Sequence, residues 1–107
     1  MEKKKKLNGN QLCEKEHQQM ILSENARMCA QKAIKAAKDG KIGEAYRKLK
    51  KAEIAVTQAK QVRKEISQEN QKVTISMINS EDHVMTTDIF VSLAFDFVEL
   101  YEKMEEG

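Results

Sequence analysis

Proline and tryptophan are absent from this chain, and glycine occurs only four times in 107 residues. With no proline, nothing forces a helix to break. With so little glycine, few positions prefer a turn to regular structure. Aromatic residues amount to 5%, so a core has to come from Ala, Ile, Leu, Val and Met on closely approaching helices. No stretch reaches the roughly 20 apolar residues that a bilayer span requires. The lysine-rich start leads into Asn, Gln and Glu instead of the apolar run of a secretion signal. A cytoplasmic protein without membrane insertion is therefore expected. The two cysteines, Cys13 and Cys29, fall on one expected helix roughly 24 Å apart at about 1.5 Å per residue. That exceeds disulfide reach, and both are read as reduced packing residues. Also missing are metal-binding Cys or His spacings, a Gly-rich phosphate cradle and a Ser nucleophile motif.

What is present favours helix throughout. Ala, Lys, Glu, Gln and Met take a large share of the positions, and all lose little side-chain freedom in a helix. The length suits one domain with a thin core. Net charge is only +2, but it is unevenly placed: twelve Lys or Arg face three acids between Arg27 and Lys64, whereas eight acids face one Lys from Asn79 onward. The basic residues have neither interleaved aromatics nor a Gly-rich loop, so solvated helix faces and a protein-docking surface are expected ahead of nucleic acid.

Along the chain, residues 1–10, with Lys3 to Lys6, have no apolar periodicity and read as a basic disordered tail or a fraying helix start; residues 11–107 form the single domain. The first helix is expected from about Gln11 to Lys38, with Ala26, Ala30, Ala33, Ile34 and Ala37 at three- and four-residue steps. Asp39-Gly40 ends it, the glycine suiting a left-handed cap. The second carries Ile42, Ala45, Leu49, Ala52, Val56 and Ala59 at the same spacing, then Val62 and Ile66, and returns antiparallel to the first. Ser67 to Lys72 reads as a polar connection. The third helix begins within 73–79 and runs to about Met104. The fold class is all-α, an antiparallel three-helix bundle.

The third helix differs from the others, since ten of the thirteen residues from Ile89 to Tyr101 are apolar. A helix apolar nearly all round needs neighbours nearly all round, and two partner helices cannot supply them. A homo-oligomer with the third helix inside is expected. At about 100° per residue, Asp82 falls on the centre of its most apolar face, in line with Ile75, Ile78, Met85, Ile89, Leu93 and Leu100. Buried there, a carboxylate needs a partner, a cation or a proton. A bond to a local Ser or Thr is the plainest solution; convergence of symmetry-related copies on a metal ion is the other. Asn79 precedes His83 by one turn and Thr86 follows Asp82 by one turn, which makes these four one patch. A His beside an Asp on a helix suits an ordinary hydrogen-bonded histidine as well as a base or nucleophile.

The stretch Met77-Ile78-Asn79-Ser80-Glu81-Asp82-His83-Val84-Met85-Thr86-Thr87 resembles the signature of the lactose/cellobiose-type enzyme IIA family of the phosphoenolpyruvate-dependent sugar phosphotransferase system (PTS), His-x-Gln-Asp-His-Leu-Met-Thr. The resemblance extends over about Ile21 to Met104, through Asn25-Ala26-Arg27, Ala33, Ala36-Ala37-Lys38, Gly40, Glu44-Ala45, Leu49, Ala52 and Glu99-Leu100-Tyr101-Glu102-Lys103. It implies a homotrimer of three-helix subunits and a phosphorelay from HPr through a histidine to enzyme IIB. It implies Asp82 as the axial aspartate that binds a divalent metal, usually magnesium, with His83, Met85, Thr86 and Thr87 also matching. The position of the phosphorylated histidine is Asn79, and an amide has no nitrogen lone pair comparable to that of imidazole. Glu81 stands for the family Gln, Lys60 for a His on the second helix, and Arg63-Lys64 for Gln-Thr. The resemblance thus implies a IIA-type component whose site residues are Asn79, Glu81, Asp82 and His83, diverged into a binding or regulatory homologue that does not itself carry phosphate. The second reading, from charge alone, is a helical protein-interaction module with a basic docking face and no link to phosphotransfer.

Overall fold

A computed structural model of the chain describes residues 8–69 and 75–106. These form three helices, α1 (Gly9–Lys38), α2 (Ile42–Glu69) and α3 (Ile75–Glu106), with no strand among the described residues. Asn8 opens α1 with a reciprocal cap: its side chain accepts from the Gln11 N–H at 2.8 Å while its own N–H donates to Gln11 Oε1 at 3.0 Å. This pairing satisfies two donors otherwise left open at a helix start. It also makes Gly9 and Asn10 helical, so the tail expected over 1–10 is shorter on its inner side; residues 1–7 lie outside the described residues.

At the other end of α1, the Gly40 N–H donates to the Ala37 carbonyl at 3.0 Å and the Lys41 N–H to that of Ala36 at 2.8 Å. Gly40 takes a φ of +81°, the left-handed conformation this cap demands. The chain then reverses. α2 continues through Ser67, Gln68 and Glu69, where a connection is expected, because polarity alone does not stop residues with adequate helix propensity. The remainder of that expected connection, residues 70–72, lies outside the described residues.

The helices alternate in direction, and long side chains tie them together at both ends. Lys15 near the start of α1 meets Glu65 near the end of α2 at 2.6 Å. Tyr46 near the start of α2 donates to Glu102 near the end of α3 at 3.0 Å. Between these ties the core is a ladder of small residues: Ala26, Ala30, Ala33 and Ala37 from α1, Ala45, Ala52, Val56 and Ala59 from α2, and Val84, Val91, Ala94 and Val98 from α3. Leu49, fully buried, is the largest side chain at its centre. Small side chains let the helix axes approach closely, at the cost of little apolar volume per residue.

The outer face of α3 is the exception to this order. Met85, Ile89, Leu93, Phe97, Leu100 and Met104 are each 48–65% exposed, on the side of the helix opposite Val84, Val91, Ala94 and Val98. Both sides of α3 are therefore apolar, as the sequence pattern predicts, and a single chain covers only one of them. No helix among the described residues is long and apolar enough to cross a membrane.

Candidate functional site at the start of α3

The first turns of α3 carry Asn79, Glu81, Asp82 and His83, and the roughly 100° step between residues sends their side chains to different neighbours. Asn79 is exposed. Its helix places it one turn before His83 on the flank nearest α1. His83 is half-buried, with Nε2 3.1 Å from Glu24 Oε1 of α1; this nitrogen is shielded from solvent and poorly aligned for a hydrogen bond. Glu24 in turn accepts from Arg27 Nη2 at 2.7 Å. The Arg27 hydrogen bond, with a smaller contribution from His83, holds the Glu24 carboxyl below its ordinary range. The site therefore extends onto α1 through Glu24 and Arg27. Sequence reasoning noted Arg27 without a role and missed Glu24, since nothing in a linear pattern pairs a glutamate with a histidine 59 residues away.

Asp82 points outward, one turn before Met85 and two before Ile89, and is exposed with them in the single chain. Thr86 does not bond its carboxylate: the Thr86 hydroxyl donates to the Asp82 main-chain carbonyl at 2.8 Å. Among the residues whose side chains are described, none engages the Asp82 carboxylate. Thr87, one step further round, is buried against the other helices. Within one chain, no three His, Cys, Asp or Glu side chains among the described residues gather about a point where a metal could sit.

Glu81 turns the other way, toward α2. It borders an open cleft of about 470 Å³ whose other walls are Thr57, Lys60, Gln61, Arg63, Lys64 and Ser67. Lys60 reaches across to Asp88 of α3 at 2.7 Å. A second, smaller hollow of about 170 Å³ at the α1–α2 turn is bordered by Lys32, Lys35, Lys41 and Lys48 together with Asp39 and Glu44.

Residues 17–102 match the family model described as "PTS system, Lactose/Cellobiose specific IIA subunit". The lichenan-specific phosphotransferase enzyme IIA component of Bacillus subtilis strain 168 is 34% identical over 87 residues, covering 77% of this chain and 79% of that protein. The crystal structure of the PTS cellobiose-specific enzyme IIA from Bacillus anthracis is similar with a TM-score of 0.82 and 30% identity, covering 94% of each chain.

Proposed function

The chain belongs to the lactose/cellobiose-specific IIA family of the sugar phosphotransferase system, and on that premise we propose that it is a IIA-type component that keeps the family's assembly and partner surfaces but does not carry phosphate. The observation behind this reading is Asn79, an exposed amide at the position where the family signature places its histidine. A carboxamide nitrogen is not nucleophilic, because its lone pair is delocalised into the carbonyl. The phosphoryl group of phosphorylated HPr thus has no acceptor at residue 79. Phosphate transfer to enzyme IIB stops there, while docking of either protein, which depends on surface shape and charge, does not. The chain then acts by occupying these partners as a binding or regulatory homologue.

The same reading takes the uncovered face of α3 as the centre of a homotrimer. Met85, Ile89, Leu93, Phe97, Leu100 and Met104 would pack against their copies, and three Asp82 carboxylates would converge. Like charges at that distance repel unless a cation joins them. Asp82 is the residue that would hold a divalent metal, magnesium by its oxygen-only donors, and the metal would supply charge neutralisation at the axis.

Incubation with phosphoenolpyruvate, enzyme I and HPr, followed by intact-mass measurement, tests the relay. The native chain is expected to show no gain, and Asn79→His a gain of about 80 Da from one phosphoryl group. A stoichiometric gain by the native chain overturns the proposal, and its loss in His83→Ala would then identify His83 as the acceptor.

A further inference from the structure

We propose that the cleft between α2 and the start of α3 binds a phosphate monoester of a polyhydroxylated compound, a sugar phosphate, without covalent chemistry. Lys60 and Lys64 stand one turn apart on α2 with Ser67 a turn beyond, and Arg63 lies beside them on the same wall. Three cations therefore share one concave surface. Lys60 is offset by Asp88 at 2.7 Å, an ion pair that also holds its ammonium toward α3. Arg63 and Lys64 have no acidic partner among the described residues. Their two charges match a phosphate dianion, and the Arg63 guanidinium can meet two phosphate oxygens at once.

Glu81 on the opposite wall decides what the rest of the ligand is. A carboxylate opposes a second anionic group but accepts hydrogen bonds from hydroxyls, with Gln61 and Ser67 adding further polar groups. The α2 wall thus carries the cations for phosphate, and Glu81 on the α3 wall can accept from the hydroxyls of a polyol. A volume of about 470 Å³ lies within the roughly 300–1,000 Å³ usual for small-molecule sites. A nucleic acid fits less well: an extended polyanion laid over the cleft would also meet Glu81 and Asp88 of the acidic third helix. A small ligand touches only the cleft.

This inference rests on the reading of Asn79 for one point, that in a chain with no phosphate acceptor at residue 79 the cleft serves as a sensor of its ligand. The binding itself is independent of it. Isothermal titration of the full chain with glucose 6-phosphate, inorganic phosphate and glucose tests the site. Glucose 6-phosphate is expected to bind at least tenfold more tightly than inorganic phosphate, and glucose not at all. The double substitution Arg63→Gln/Lys64→Gln should weaken glucose 6-phosphate at least tenfold while thermal unfolding changes little, Lys64 being exposed and Arg63 half-buried without an acidic partner among the described residues. Glu81→Gln should narrow the difference between glucose 6-phosphate and phosphate. Equal affinity for the two anions means an adventitious ion only and overturns the proposal. So does the absence of binding, or binding untouched by the double substitution. If the native chain gains phosphate in the relay assay while this titration succeeds, the Asn79 reading fails and the cleft stands; the reverse pattern separates them in the other direction.

Discussion

At the scale of single residues, three side chains have measurable consequences. Leu49 fills the middle of a core otherwise built mainly from alanine and valine, and Leu49→Ala is expected to destabilise by about 2–5 kcal/mol through lost transfer energy and the cavity left behind, read by denaturant titration. Tyr46 donates to Glu102. Burial first, then that bond and the Glu102 charge, pushes its phenol above the ordinary value. Its contribution to stability is therefore complete below about pH 10 and disappears as pH rises through the folded value. Absorbance titration should show a tyrosine step above the ordinary range that Tyr46→Phe removes; an unchanged profile in the variant would contradict the bond. Glu24 behaves in the opposite sense. Its folded value is lowered, chiefly by Arg27, so its contribution is present above about pH 4.3 and is lost as pH falls through the folded value. The difference in unfolding temperature between native protein and Glu24→Gln should shrink to nothing on acidification.

At the scale of elements, the turn between α1 and α2 and the outer face of α3 are the sensitive features. Gly40 has a positive φ, and an added Cβ would come within 2.6 Å of Glu105 Oε1. The carboxylate can swing aside, but the backbone conformation cannot be relieved, so Gly40→Ala should cost about 1–2 kcal/mol. Helix positions were legible because apolar residues at three- and four-residue steps leave little choice of buried face; Ala26 through Ala37 and Ile42 through Ala59 fall where the periodicity puts them. The two-sided apolarity of α3 was legible for the same reason. Helix ends were less so, because Gln68 and Glu69 are as compatible with a helix as with a loop, and the Asn8–Gln11 cap is a side-chain arrangement that weak flanking patterns hide. The candidate site was only partly legible. Its residues on α3 lie within one segment, but their separation toward α1, solvent and α2 depends on how three helices dock, and Glu24, Arg27 and the Lys60–Asp88 pair emerge only from that docking.

For the whole molecule, folding and association are expected to be coupled. A thin core in each chain and an uncovered apolar face on α3 mean that assembly would bury much of the remaining apolar area, and unfolding temperature should rise with protein concentration. Mass in solution is expected near three times the 12.3 kDa of the chain. Leu93→Asp should reduce it to that of one chain while helix content persists. On the proposed trimer, Asp82→Asn is expected to lower bound metal, and a chelator to lower the unfolding temperature of the native chain more than that of the variant, because three amides do not repel. A monomer at micromolar concentration for the native chain would contradict this expectation.

The alanine ladder also bears on how such a protein changes over generations. At Ala30, Ala33, Ala45 and Ala52 nearly every substitution adds volume where there is none to spare, which confines drift to the faces turned away from the core. The residues of the two proposed sites sit on those faces: residue 79 and the walls of the α2–α3 cleft are exposed or half-buried, and changes there leave the packing beneath undisturbed. A scaffold closed to change on the inside and permissive on the outside is one on which a duplicated relay protein can lose its reactive group and acquire a different ligand while remaining the same shape to its partners.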